Sequence, residues 1–459
     1  MKINSANNKL AALFICLILI FTNGCVNNAA KSYEDPMVIY CMAASELSVG
    51  YYISKFLDFY PETIFEVRVF EDAREMDEVL VQELNVGIGP DVVIFNDETE
   101  LDVLRMAKNG AFISLDEMIK ADITFNPDDY IRPAIDAGRV EGSQYLLPLT
   151  FTIPFIMYDA DSDLSFTPAP VISHSDFMES VIASIEYSKY QRDEGILYVN
   201  SIRGDIETND LISPMLLTSQ VLKLSDKNKV ENFDDESFKQ VVDWLKIYIN
   251  ECYPKSTAII DARGVQPWVI AENIKYFYSY TPLNLIQNIW YYNSSYGYAG
   301  INNFGFSALS EIGSDNVVAM LVSYGVIRNN AHPLAYEFLR IAMDTFIYTQ
   351  RSWNTYQNQN DEGASSVKIS HIEMMINTRT WGPYFRRMQD QTVFNEKPLD
   401  DDLIGRIRLI LSSVNKVIIP NAKLDNVFRD SFTAYFENEK SYEDCAANFI
   451  QKLNLYLSE

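Results

Sequence analysis

The sequence is poor in histidine, in cysteine and in positive charge. Its 459 residues include 3 His, 5 Cys and 37 Lys or Arg against 63 Asp or Glu, which gives a formal net charge of −26. Three histidines leave little room for histidine-based metal or acid–base chemistry. The shortage of cations argues against a nucleic-acid partner, because binding to phosphates requires Lys and Arg to replace counterions. It also argues against adsorption to anionic lipid through a basic patch.

Motifs for catalysis and for cofactor binding are also missing. The sequence contains neither a Walker motif nor G-x-S-x-G, so we expect no cofactor and no ATP hydrolysis by this chain. Asp159, Asp161 and Asp163 have the spacing that opens a calcium loop, but Leu164 stands where that loop needs glycine. We therefore predict no metal site and no enzyme, although the many carboxylates leave a pair for glycoside hydrolysis open.

One long apolar run is present, and it lies near the N-terminus, where residues 10–21 read LAALFICLILIF. Twelve residues are too few for a membrane-spanning helix, which needs about 20, and they fit the apolar core of an export signal. Thr22-Asn23-Gly24-Cys25 follows and resembles the bacterial lipobox, although Thr22 stands where that pattern prefers Leu.

The lipobox resemblance implies a signal peptide at 1–24, a lipidated (palmitate-bearing) Cys25 and a polar tether within 25–36. An ordinary cleaved signal with an incidental cysteine is the alternative. With either signal we expect a protein outside the cytoplasmic membrane, and lipidation would hold it on the outer face of that membrane.

From residue 37 onward, strand-like and helix-like segments alternate. The pattern predicts a parallel sheet covered by helices on both faces. Ligands of such sheets bind outside the carboxyl ends of the strands, which places 43–46 and 96–98 at the ligand edge. The predicted strands are 37–43, 63–70 and 91–95, and the predicted helices are 45–60, 73–84 and 101–108.

Several short motifs follow one another in an order typical of a known family. They resemble the extracellular solute-binding proteins of ABC importers, in the sugar-binding family 1 that includes maltose-binding protein. The motifs are GPDVV at 89–93, NGAFISLD at 109–116, EGSQYLLPL at 141–149, SYGVI at 323–327 and AYFE at 434–437.

This resemblance implies an α/β, two-lobed periplasmic-binding-protein-like (type II) fold with a hinge between the lobes. By analogy, lobe 1 comprises 37–150 and 300–330, and lobe 2 comprises 151–299 and 331–459. The resemblance further implies a monomer that captures a sugar or oligosaccharide and hands it to the permease subunits of an ABC transporter.

The family also implies ligand hydrogen bonds from the two polar segments at the predicted edge, Ser45-Glu46 and Asn96-Asp97-Glu98. Simpler roles stay open for these residues. Ser45 could be a helix N-cap, and Asp97 and Glu98 could stabilise the N-terminus of the next helix. Phe95 matches a position where the family can place an aromatic platform, and it could equally be a buried strand residue.

Aromatic residues are dense between Trp268 and Phe306, where twelve occur. A flat ring stacked on the C–H face of a sugar removes apolar surface from water. We expect most of these rings to lie in a core and two to four to reach the ligand. The candidates are Trp268, Tyr280 and Trp290, with Trp353 and Trp381 as weaker ones.

Three alternatives remain open at this stage. The same scaffold could bind a peptide, a polyamine or another organic solute. A surface glycoside hydrolase would need two carboxylates about 5–10 Å apart. A glycan-binding adhesin would retain carbohydrate without serving transport.

Overall fold

A computed structural model describes residues 31–159, 167–180, 182, 215–224, 230–233, 235–247, 249–250, 276–277, 304–346, 365–378 and 399–458. In these ranges the chain is mixed α/β, as the sequence predicts. The strands are β1 Met37–Met42, β2 Phe65–Phe70, β3 Val92–Asn96, β4 Arg139–Val140, β5 Ser143–Gln144, β6 Leu146–Thr152, β7 Phe155–Asp159, β8 Val171–Ser173, β9 Leu222–Leu224, β10 Val230–Phe233, β11 Tyr276–Phe277, β12 Phe304–Ser310, β13 Val317–Ile327, β14 Ser365–Ser366 and β15 Val414–Ile418.

The helices begin at residues that sequence rules favour. Asp72 and Asp400 each accept a hydrogen bond from the backbone N–H three residues on, at 2.9 Å, and Ser441 Oγ does the same for Asp444. The helices are α1 Glu46–Leu57, α2 Ala73–Asn85, α3 Val103–Lys108, α4 Asp116–Ala121, α5 Arg132–Asp136, α6 Asp235–Ile247, α7 Ala335–Asp344, α8 Ile369–Thr378, α9 Asp401–Ser412, α10 Ala422–Phe436 and α11 Tyr442–Ser458.

Strand β1 lies between β2 and β3 and is parallel to both, which confirms the predicted parallel sheet. The sheet continues from β3 to β13, which runs antiparallel to it and then pairs with β6. Because β1, β2 and β3 are parallel, their last residues share one edge of the sheet. Their first residues share the opposite edge, which we call the base.

The buried apolar side chains of the described residues form two separate hydrophobic cores on this framework. The first core gathers β1, β3, β6 and β13 with helices α1, α2 and α7. The second gathers α6, α10 and α11, where Phe238 stacks on Phe449 at 5.5 Å and Phe428 stacks on Phe432 at 4.8 Å. Two cores of this kind are what a two-lobed fold requires.

Continuous strands connect the two cores. Strand β13 pairs with β3 and β6 near its end, and with β15 and β12 near its start. Strands β6 and β7 are separated only by Ile153-Pro154, and β7 pairs with β12. The stretches around Thr152 and Leu321 are therefore the hinge candidates of the fold.

Helix α7 packs on the first core, which differs from the sequence-based boundary that placed 331–459 in lobe 2. Phe338 of α7 lies edge-to-face with Phe56 of α1, at 5.8 Å between ring centroids. The short turn after β13 returns the chain onto the sheet it has just left. Gly325 permits this close approach, because a Cβ there would lie 2.2 Å from Leu339 Cδ2. The other lobe boundaries stay a prediction.

At the base of the first core, Asp91 ties three segments together. Its fully buried carboxylate accepts hydrogen bonds from Lys31 Nζ and Val38 N at 2.7 Å, and from His332 N at 3.0 Å. The guanidinium of Arg328 lies 3.7 Å away. The N-terminal segment, strand β1 and the turn after β13 are thus held at one point.

Candidate functional site

The residues that follow β1 form a tight turn into helix α1. Ser45 ends this turn and is 1% exposed, and Glu46 follows it and is exposed. The Ser45 hydroxyl accepts no hydrogen bond from a helical N–H, so its side chain does not cap helix α1. No group among the described residues hydrogen-bonds to this hydroxyl. Ser45 therefore lies at the predicted edge but beneath its surface.

The segment after β3 likewise combines a buried polar residue with neighbours that reach the surface. Asn96 is buried, and its Oδ1 accepts a hydrogen bond from Glu98 N at 3.2 Å, which shapes the turn. Asp97 is half-buried and Glu98 is exposed. Hence Asp97, Glu98 and Glu46 are the predicted edge residues that reach the surface, whereas Ser45 and Asn96 support them from below.

Phe95 is a core residue rather than an aromatic platform in this structure. It is fully buried, with its ring centroid 5.6 Å from that of Tyr324 and 6.4 Å from that of Phe112. Of the two roles that the sequence left open for Phe95, the structure shows that of a buried strand residue.

Asp77 of helix α2 holds the loop that carries Asp97 and Glu98. Its carboxylate accepts hydrogen bonds from Thr99 Oγ1 at 2.9 Å and from Glu100 N at 2.8 Å. Burial raises the pKa of Asp77 to about 6, although these hydrogen bonds lower it. Asp77 could not be predicted from the sequence, because nothing in a helical pattern marks which carboxylate will be buried.

The same loop contacts the second core. Thr99 O accepts a hydrogen bond from Ala422 N at 3.2 Å, and Glu100 Oε1 accepts one from Asn426 Nδ2 at 3.0 Å. Both donors belong to helix α10. The loop after β3 therefore lies at the junction of the two cores, which is where a ligand gripped by two lobes would be held.

Buried hydroxyls from the connecting strands lie in the same region of the sheet. Ser323 of β13 pairs with Asn96 and with Thr150, and the Ser323 and Thr150 hydroxyls are 2.7 Å apart. Thr152 Oγ1 and Tyr324 OH are buried without a hydrogen-bond partner among the described residues. An unpaired buried hydroxyl costs about 1–3 kcal/mol, which is a cost that functional sites commonly carry.

The Tyr324 hydroxyl remains a proton donor at neutral pH. Burial raises its pKa above the usual range, and the carboxylates of Asp77, Asp97 and Asp102 raise it further. Residues 323–327 form one of the family-like motifs, but no pattern in the sequence marks Tyr324 or Ser323 as polar groups of the candidate site.

Five further candidates cannot be placed. Trp268, Tyr280, Trp290, Trp353 and Trp381 lie outside the described residues, and so does Cys25. Among the residues that are described, no three His, Cys, Asp or Glu side chains converge as metal ligands would. Within the same ranges, no helix combines the length and apolar character that crossing a membrane requires.

Comparison of the sequence with protein-family models and with curated proteins gives no match. Comparison with solved structures gives many. The sugar-binding protein MalE from Xanthomonas citri is similar with a TM-score of 0.61 and 16% identity, over 92% of this chain and 98% of that one. A family 1 extracellular solute-binding protein from Alicyclobacillus acidocaldarius has a TM-score of 0.55 and 13% identity, over 94% and 100%.

An ABC substrate-binding protein from Listeria monocytogenes, solved with cycloalternan, is similar with a TM-score of 0.51 and 14% identity, over 93% of this chain and 99% of that one. At such identities the likeness establishes the fold. The chain thus has the two-lobed fold of periplasmic binding proteins, as its sequence motifs imply.

Proposed function

We propose that this chain is a lipid-anchored solute-binding protein that captures a sugar or oligosaccharide for an ABC importer on the outer face of the cytoplasmic membrane. The observation that carries the proposal is the position of the loop after β3. It presents Asp97 and Glu98 at the ligand edge and contacts helix α10 of the second core. The sugar-binding protein MalE and the family 1 extracellular solute-binding protein, which have the same fold, support this assignment.

In the proposed mechanism the ligand binds between the lobes and stabilises the closed arrangement. Strand β13 and the β6–β7 connection would act as the hinge. A ligand shifts the equilibrium only by its differential affinity for the open and closed forms. We propose carboxylate–hydroxyl hydrogen bonds from the first lobe, and stacking by Trp268, Tyr280, Trp290 and Trp353. The closed form would then be recognised by the permease, and the ligand would leave chemically unchanged.

A cationic ligand such as a polyamine is the second candidate, on the same scaffold. Glu46 and Glu98 are exposed and Asp97 is half-buried at the ligand edge, so this surface carries several carboxylates. An ammonium group would pair with such carboxylates through charge-assisted hydrogen bonds. A screen that contains both classes of ligand distinguishes the two candidates.

A thermal-shift screen against monosaccharides, oligosaccharides and polyamines should give one class of stabilising ligand, and we expect saccharides. Stabilisation grows with free ligand and reaches about 2.7 kcal/mol at a hundred times the dissociation constant. Stabilisation by polyamines alone would favour the second candidate. Cleavage of an oligosaccharide during incubation would favour the glycoside hydrolase that the sequence left open.

Replacing Asp97 with alanine should weaken the binding of the stabilising saccharide about 10- to 100-fold, because a hydrogen bond to a charged group contributes about 1.5–3 kcal/mol. The Asp97→Ala melting temperature without ligand should stay near that of the unmodified protein, since the side chain is only half-buried. Glu437→Ala, which removes an exposed carboxylate after helix α10, is the matched control. Equal affinity of both variants in calorimetry would exclude Asp97 from the site.

A further inference from the structure

Exposed apolar side chains are concentrated at the base of the first core. The described residues expose twelve large apolar side chains, and five of them lie at this one end. They occur on the three segments that lead into β1, β2 and β3, and each is between 52% and 71% exposed: Tyr33, Phe59, Ile64, Val86 and Ile88.

These segments are held at the same end by hydrogen bonds. Met37 N donates to Ile64 O at 2.8 Å, which joins the segment before β2 to the start of β1. Asp91 N donates to Val38 O at 2.8 Å and places the turn of Val86 and Ile88 beside it. The ring of Tyr33 lies 6.3 Å from that of His332, in an edge-to-face arrangement. The five side chains thus share one end of the sheet.

The N-terminal chain reaches the molecule at this same end. Lys31 is fixed to the buried Asp91, and only six residue steps separate it from Cys25. Six extended residues span at most about 20–22 Å. A lipid on Cys25 would therefore keep the base within about that distance of the bilayer surface.

We propose that the base of the first core, through Tyr33, Phe59, Ile64, Val86 and Ile88, rests on the lipid bilayer to which Cys25 is anchored. The inference rests on the proposed lipid anchor but not on the identity of the solute. The apolar face of an interfacial amphipathic helix lies about 5–10 Å deep, at the boundary between headgroups and acyl chains, and we expect the apolar side chains of the base to reach the same zone. The ligand edge lies at the opposite end of the strands, so in this posture it faces away from the membrane and is open to solute. The posture is therefore one of ligand capture, and the tethered protein must leave it to deliver the ligand to the permease.

The charges at the base determine which lipid it fits. Glu34, Asp35 and Glu62 are exposed at this end, while Lys31 is committed to Asp91. An anionic bilayer repels such carboxylates at low ionic strength. The surface therefore fits zwitterionic phosphatidylcholine better than phosphatidylglycerol.

The test uses the full lipoprotein in phosphatidylcholine vesicles, with Cys252→Ser as the parent for labelling. An environment-sensitive fluorophore is placed on Ile88→Cys or Phe59→Cys, and on Leu409→Cys as the matched control. Leu409 is 56% exposed on helix α9, outside the base. We expect nitroxide-bearing lipid to quench most of the emission at both base positions and little at the control. Mixing in phosphatidylglycerol at low salt should reduce that quenching.

Flotation of the vesicles separates the possible failures. If the protein floats but the fluorophores at the base are not quenched, or the control position is quenched equally, the membrane-contact inference is wrong. The lipid anchor is still supported in that case. Protein that does not float overturns the anchor and this inference together. The Phe59→Ser/Ile88→Ser double variant should keep the saccharide affinity, because both residues lie at the end of the strands opposite the ligand edge. Failure of the membrane-contact inference would therefore not count against the proposed ligand binding.

Discussion

Replacing Asp91 with alanine is expected to lower the free energy of unfolding by about 3–5 kcal/mol, the range seen when one partner of a buried ion pair is removed. The Asp91 carboxylate is fully buried and accepts three hydrogen bonds, from Lys31 Nζ and from the backbone of Val38 and His332. Alanine leaves two backbone N–H groups without their acceptor, and it leaves the Lys31 ammonium with only the Pro36 carbonyl oxygen, at 3.1 Å. Urea unfolding monitored by circular dichroism measures the change.

An exposed aspartate provides the control. Asp136 pairs with Arg132 at 3.2 Å and with Arg139 at 3.3 Å, but its side chain is nearly half exposed. Pairs of that kind contribute at most about 1 kcal/mol, so Asp136→Ala should have a small effect. Lys31→Met should fall between the two, because it removes one of the three donors and keeps the backbone hydrogen bonds. A loss below 1 kcal/mol in Asp91→Ala would contradict the role assigned to this residue.

The second large effect is a loss of stability in acid. Burial lowers the pKa of His174 to about 4, against 6.5 for an unperturbed histidine. The imidazole lies between Ser310 O and Thr218 Oγ1, and it is neutral in the native state. Burial also lowers the pKa of His371 to about 4, and the nearby Lys368 ammonium lowers it further.

The direction of the pH dependence follows from where the protons bind. Between pH 6.5 and about 4 the unfolded chain protonates these two histidines and the native protein does not, so stability falls as the pH falls. Each histidine accounts for up to about 3 kcal/mol over that window. Asp77 acts in the opposite direction, because its raised pKa lets the native state bind a proton between about pH 6 and 3.8. The net loss from these three groups is about 3 kcal/mol.

Comparison of wild-type protein with His174→Gln tests this assignment. Glutamine is uncharged at every pH in the window, so the variant should lose less stability than the wild type between pH 7 and 4. Urea denaturation at half-unit pH intervals gives both curves. Parallel curves for the two proteins would show that His174 does not carry the pH dependence.

Local sequence patterns predicted the first part of the fold well. The strands β1, β2 and β3 and the helices between them appear within a few residues of their predicted positions. Periodicity and capping residues act over short distances, so a single sequence contains them. The position of the candidate ligand edge also follows from the parallel order of strands alone.

Features that depend on contacts between distant segments were not predictable in this way. The packing of α7 on the first core depends on the close approach of Gly325 to Leu339. The burial of Asp77 depends on its contact with a loop some 20 residues further along. The role of Asp91 needs three segments to meet, so the sequence showed it only as part of a family-like motif. Burial also decided between the alternative roles of Phe95, which no pattern in the strand distinguishes.

Small-angle X-ray scattering of the purified protein, with and without the saccharide that stabilises it most, tests the clamp mechanism most directly. The mechanism predicts a smaller radius of gyration with the ligand bound, and recovery of the ligand intact by mass spectrometry. A scattering profile that does not change when the site is saturated, or a ligand recovered in cleaved form, would contradict it.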